Sequence, residues 1–200
     1  MIAIVDYAAG NVRSVANALE RLGADFCLTA DAAALRRASH VILPGVGEAA
    51  AAMASLRERG LDRVIPALTQ PVLGICIGLQ LMCESSEEGD VRCLGLFPLS
   101  VRRLSETDAG GARLKVPHMG WNTVGSVRGP LFNGLPDGTF FYYVHSFAAD
   151  PGPDAVALTE YGRPFAAAVA RANFYGTQFH PEKSGAAGAR LLSNFLRLQA

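Results

Sequence analysis

The pentapeptide Gly74-Ile75-Cys76-Ile77-Gly78 places a nucleophilic side chain between two glycines. This is the Gly-x-nucleophile-x-Gly shape of a nucleophile elbow, in which a tight strand-to-helix turn pushes the central side chain out beyond the sheet. A thiol at the start of a helix meets unpaired N–H groups and the positive end of the helix dipole, which favours the thiolate. The spacing is short, and a free cysteine is commonly a small buried hydrophobe, so the elbow reading needs partners elsewhere in the chain. Gly176-Thr177-Gln178-Phe179-His180-Pro181-Glu182 offers a base. Pro181 biases His180 toward an extended backbone, and in an extended stretch His180 and Glu182 point to the same side. A carboxylate there would hold the imidazole in its useful tautomer, giving Cys76–His180–Glu182 by triad logic. A lone histidine in an apolar strand is otherwise a satisfied core residue.

Acyl transfer also needs donors for an oxyanion. Pro44-Gly45-Val46-Gly47 ends another apolar run, so its backbone N–H groups are predicted at the same sheet edge as Cys76, with the Ile77 N–H as a second donor. The same loop satisfies a G-x-G-x-x-A dinucleotide fingerprint through Ala50. No acid ends a strand about twenty residues on, which argues against a dinucleotide. Gln80 lies one helical turn beyond Cys76, where its amide can meet a polar substrate or simply bond a nearby loop.

The elements that must position these residues alternate in the first half. Predicted strands are Ile2–Asp6, about Ala24–Leu28, His40–Leu43 and Pro71–Ile75. Helices follow Asn11, run near Asp31–Arg37, fill the Ala-rich stretch to Gly60 and the stretch from about Asp62 to Leu68, and begin again near Ile77. Such alternation predicts a parallel sheet covered on both faces. The second half reads as β-rich, with strands in Leu94–Leu104, Thr139–Ala148, Asp154–Glu160, Phe165–Arg171 and Asn173–His180, and a last helix after Ser184. The prediction is one α/β domain over residues 1–200 with an antiparallel extension.

Composition bounds the function. Of 200 residues, 50% are hydrophobic, and Lys+Arg and Asp+Glu balance at 18 each, so the formal net charge is zero. That balance removes the basic footprint of a nucleic-acid binder and favours association with another protein. The start Met1-Ile2-Ala3-Ile4-Val5-Asp6 does not read as a signal peptide, and the apolar run Pro71–Cys83 is too short for a bilayer span. Four scattered cysteines and four distant histidines show neither a disulfide framework nor a metal-ligand spacing. A reduced, cytoplasmic protein follows, with no metal or cofactor predicted.

Pro44-Gly45-Val46-Gly47, Gly74 to Gln80 and Phe179-His180-Pro181-Glu182 together resemble the triad (class I) glutamine amidotransferases. Val116-Pro117-His118-Met119-Gly120-Trp121-Asn122, Tyr143-Val144-His145-Ser146 and His180-Pro181-Glu182-Lys183-Ser184 are most similar to the branch that serves histidine biosynthesis. The resemblance runs from Ile2 to the final helix. It implies a flavodoxin-like α/β fold, a mostly parallel sheet flanked by helices, with an additional antiparallel sheet in the second half. It also implies hydrolysis of L-glutamine to glutamate and ammonia by Cys76, His180 and Glu182, with an oxyanion hole at the Val46 and Ile77 N–H groups. Gly47, Gln80, Glu88, Ser146 and Phe147 fall where the family grips glutamine. The ammonia would pass to a (β/α)₈-barrel cyclase subunit in a heterodimer, which makes imidazole glycerol phosphate and an aminoimidazole carboxamide ribotide. Gly10, Asn11, Trp121, Tyr142 and Lys183 match positions at or near that interface. The chain departs from some members in having Ala8-Ala9 in place of Gly-Pro, and Phe147 in place of Tyr.

Overall fold

Short apolar runs separated by amphipathic helices build the first half as predicted. Strand β1 (Ile2–Val5) leads to helix α1 (Val12–Arg21), β2 (Phe26–Thr29) to α2 (Ala32–Arg37), and β3 (His40–Leu43) to α3 (Ala49–Glu58) and α4 (Leu61–Val64). Strand β4 (Val72–Ile75) then runs into α5 (Ile77–Met82) with only Cys76 between them. β1, β3 and β4 are buried at every position, as strands with both faces covered must be. Helix α1 buries Val15, Ala18 and Leu19, three and four residues apart, and the Asp31 carboxylate caps α2 by accepting from the Ala34 N–H at 2.7 Å. The computed structural model describes residues 1–7, 12–45 and 47–199, so Gly10, Asn11 and Val46 lie outside the described residues.

The second half contains β5 (Ser85–Ser86), β6 (Val91–Arg92), β7 (Ser100–Arg103), β8 (His118–Thr123), β9 (Phe140–His145), β10 (Phe147–Ala149), β11 (Ala155–Tyr161), β12 (Arg163–Arg171), β13 (Phe174–Thr177) and helix α6 (Gly185–Phe195). The stretch expected as a strand over Leu94–Leu104 pairs only from Ser100 to Arg103. Its first residues do other work. The Leu94, Gly95, Leu96 and Phe97 N–H groups donate to the carbonyls of Leu81, Cys83 and Met82, satisfying acceptors at and just past the end of α5.

The main sheet has the order β11-β12-β13-β4-β3-β1-β2. Its parallel part, β2-β1-β3-β4-β13, is the strand order of flavodoxin-like sheets, and β12 and β11 extend it antiparallel beyond β13. A four-stranded sheet, β10-β7-β5-β6, and a two-stranded ribbon, β8-β9, complete the antiparallel portion. Phe141 of the ribbon stacks on Phe179 at 3.9 Å between ring centroids, tying it to the segment that follows β13. No described helix is long and apolar enough to cross a membrane.

Candidate active site

Parallel neighbours end at a common edge, and three of them bring the predicted residues together. Leu43 of β3 pairs with Gly74 of β4, and Ile75 of β4 pairs with Thr177 of β13. The chain therefore leaves β3 toward Gly45 and Gly47, β4 into Cys76, and β13 into Gln178 and His180 on one side of the sheet. Cys76 itself has φ 54° and ψ −108°, a conformation that costs any L-residue energy. Its N–H donates to Thr177 O at 2.7 Å, and its carbonyl accepts from the Gln80 N–H at 3.1 Å. The elbow glycines are required by contact. A Cβ on Gly74 would stand 2.6 Å from the Gly78 carbonyl, and one on Gly78 would overlap the Leu43 carbonyl oxygen. A Cβ on Gly45 would stand 2.6 Å from the Ile77 Cβ. The buried Tyr7 hydroxyl donates to Pro44 O and pins the start of that loop.

His180 and Glu182 meet, although by a different route from the one predicted. Pro181–Lys183 form a 3-10 turn, so the two side chains converge across a turn and not along an extended strand. His180 Nδ1 lies 2.8 Å from Glu182 Oε1, and each side chain is 1% exposed. The other ring nitrogen, Nε2, is buried without a protein hydrogen bond of ordinary length, and the Cys76 sulfur is its nearby electrostatic partner. Burial disfavours the imidazolium, but Cys76 and Glu182 outweigh it and raise the His180 pKa to about 9. The segment is stitched to β9. The His180 N–H donates to Tyr142 O at 2.9 Å, the Ser184 hydroxyl donates to His180 O at 2.7 Å, and the Tyr142 N–H donates to Ser184 Oγ at 2.9 Å.

A pocket of about 280 Å³ opens over Cys76. Ile77 and all five residues predicted to hold the substrate line it: Gly47, Gln80, Glu88, Ser146 and Phe147. Gly47 has φ 111°, a backbone shape suited to glycine. Gln80 is buried, and its Nε2 donates to Phe147 O at 2.9 Å and to Gln178 Oε1 at 3.0 Å. Both amide hydrogens are thus used, which leaves its buried Oε1 as an acceptor with no protein partner. The Glu88 carboxylate accepts from the Ala49 N–H at 2.9 Å, and burial raises its pKa despite that bond. Among the described residues no group of three His, Cys, Asp or Glu side chains is placed to hold a metal ion.

Sequence reasoning missed several neighbours of the sulfur. Pro117, Val144 and His145 also line the pocket. Gln178 Nε2 donates to Cys76 Sγ at 3.6 Å, and Val144 O lies 4.0 Å from the same sulfur. The signal for Gln178 was the period of two, which sets it on the same side as His180. Of the predicted interface residues, Trp121 is 56% exposed and meets Tyr142 edge-to-face at 6.0 Å. Lys183 is exposed directly after the buried Glu182. None of these three lines the pocket over Cys76.

The family model for glutamine amidotransferase class-I matches residues 3–198. The imidazole glycerol phosphate synthase subunit HisH of Bacteroides fragilis is 51% identical over 197 residues, covering 98% of this chain and 99% of that protein. The protein of the same name from Yersinia pseudotuberculosis is 48% identical over 199 residues, with the same coverage. The chain belongs to the class-I glutamine amidotransferases. Among solved structures, one described as a glutamine amidotransferase superposes with a TM-score of 0.73 at 20% identity, over 98% of this chain and 97% of that one. A glutamine amidotransferase from Thermotoga maritima gives 0.63 at 18% identity, over 97% and 81%. At those identities the likeness is one of fold. The pocket brings the Cys76 sulfur, donors and acceptors together, close to the buried His180–Glu182 pair.

Proposed function

We propose that this chain is the glutaminase subunit of an imidazole glycerol phosphate synthase and hydrolyses L-glutamine to glutamate and ammonia. The observation that carries the reading is the convergence of Cys76, His180 and Glu182 at one sheet edge beside a polar pocket. Cys76 attacks the side-chain amide carbon, and the carbonyl oxygen becomes an oxyanion held by the Ile77 N–H, with the Val46 N–H assigned as second donor by the family resemblance. His180, oriented by Glu182, gives its Nε2 proton to the amide nitrogen. The C–N bond breaks, ammonia leaves, and a glutamyl thioester remains. Water then loses a proton to His180, attacks the thioester and releases glutamate, restoring the thiolate and the protonated histidine. Gly47, Gln80, Glu88, Ser146 and Phe147 hold the amino-acid portion, with Gln80 Oε1 accepting from a substrate N–H.

The ammonia passes to a cyclase subunit bound at Trp121, Tyr142 and Lys183; Gly10 and Asn11 are assigned to the same interface by the family resemblance alone. The exposed apolar surface of Trp121 supports that assignment. One hydrophobic cluster spans all three sheets, which supports a single amidotransferase domain over residues 1–200. A biosynthetic role of this kind places the protein in the cytoplasm. The test is Cys76→Ala in complex with the cyclase. Glutamine-dependent product should vanish while synthesis from added ammonium persists. Equal loss of both would overturn the assignment.

A further inference from the structure

The β8-β9 ribbon has two chemically different faces. Register pairs Trp121 with Tyr142, Met119 with Val144 and Thr123 with Phe140, so these six residues share one face. On it Met119, Trp121 and Phe140 are 58%, 56% and 57% exposed. The other face carries His118 opposite His145, both buried. His118 stacks on Tyr143 and Tyr161, with ring centroids 4.9 and 4.1 Å away.

The hydrogen bonds on this inner face leave one choice of proton positions. Phe147 O only accepts, so His145 Nδ1, at 2.8 Å, carries a hydrogen. In the neutral ring His145 Nε2 is then an acceptor, and His118 Nδ1, at 3.0 Å, must donate to it. That leaves His118 Nε2 as an acceptor, met by Asn122 Nδ2 at 3.4 Å. A second proton on His145 would put two N–H groups face to face. Burial, foremost, accordingly lowers the His145 pKa to about 3 and that of His118 to about 4. The line does not stop at Phe147. Its carbonyl also accepts from Gln80, whose amide donates to Gln178, whose amide in turn donates to the Cys76 sulfur.

We propose that His118, His145 and Gln178 are positioning residues of the glutaminase centre, joined in one hydrogen-bonded line that runs from Asn122 on β8 to the Cys76 sulfur. The proposal rests on the glutaminase reading above. The neutral histidine pair fixes the Phe147 carbonyl on the pocket wall. That carbonyl and Gln178 together take both hydrogens of the Gln80 amide, so Gln80 presents its oxygen to the substrate. Gln178 completes the line by donating an N–H bond to the Cys76 sulfur. The ribbon's outer face is the proposed partner surface, so seating the partner sets the strand from which the line begins.

The experiment uses the cyclase-saturated complex and three variants. His118→Phe keeps the stack and removes both ring nitrogens; Gln178→Met keeps an unbranched side chain and removes both amide bonds. Each should lower glutamine kcat about tenfold, and the double variant should lose well short of the hundredfold product of the two. In Gln178→Met the limiting rate of Cys76 alkylation by a glutamine-like chloroketone should fall about tenfold while the half-saturating concentration stays within about twofold, a split that a purely structural role would not produce. Thermal unfolding and complex formation report folding independently of turnover. If His118→Phe does not fold, Asn122→Ala, at the half-buried end of the line, should lower kcat in the same direction. Wild-type kcat in the single variants, strictly multiplicative losses, or an unchanged limiting alkylation rate would overturn the proposal. A wild-type complex that leaves glutamine intact, with Cys76 inert to the chloroketone, would instead overturn the glutaminase reading on which it stands.

Discussion

His180 holds a proton at neutral pH because two negative partners flank it in a site almost closed to water, and this has consequences for both rate and stability. With a folded pKa of about 9 against an ordinary 6.5, the protonated form is favoured in the native state. The resulting stabilisation is fully present below about pH 6.5 and is lost as pH rises through about 9, a change on the order of 3 kcal/mol. Urea unfolding across that window should show the fall. Glu182→Gln removes the charge beside Nδ1. It should flatten the fall and bring the imidazole titration, followed by NMR, down toward the ordinary value. Turnover in the same variant should drop by about 10²-fold or more, since the base loses its orienting group. The convergence of Cys76, His180 and Glu182 was legible at this scale because Gly74–Gly78 and His180-Pro181-Glu182 are compact motifs. The His118–His145 pair was not, since 27 residues separate two histidines that only the ribbon register brings to 3.0 Å.

At the scale of elements, two close fits hold the reacting groups at the sheet edge. The first is the passage of β4 into α5 against β3, where Gly78 lies under the Leu43 carbonyl. Gly78→Ala must push the helix away from β3. A loss of about 1–3 kcal/mol in denaturant unfolding is expected, together with loss of glutaminase activity as Cys76 shifts. The second is the stitch between Ser184 and β9. Ser184→Ala leaves the buried Tyr142 N–H without its acceptor and should cost about 1–3 kcal/mol, with kcat falling more than KM rises because His180 is what moves. The parallel core was readable from strand–helix alternation and from largely apolar tetrapeptides, of which Ile2–Val5 and Val72–Ile75 carry no polar side chain. The ribbon was less so. β8 contains Gly120, Trp121 and Asn122, which break the alternation expected of a half-buried strand. β5 and β6 are two residues long, below any periodic signal. Leu94 to Phe97 looked like strand because they are apolar, while their N–H groups serve the end of α5.

For the whole molecule, the division of labour runs across the ribbon. Its inner face carries His145, which lines the pocket over Cys76, and its outer face presents apolar surface in a chain of zero formal net charge. Trp121→Ala should leave the isolated chain within about 0.5 kcal/mol of its original stability, because the indole is exposed. It should weaken binding to the cyclase by about tenfold, read by calorimetric titration. Loss of stability without loss of affinity would remove Trp121 from the interface. The sheet edge also bears on the history of such chains. The left-handed backbone at Cys76 costs roughly 1–3 kcal/mol, which glycine at that position would largely relieve. A descendant that retained its partner but no longer needed glutamine would drift first at residue 76, and would gain stability by doing so. Residue 76 therefore serves as a record, within any lineage of this fold, of whether the reaction is still under selection.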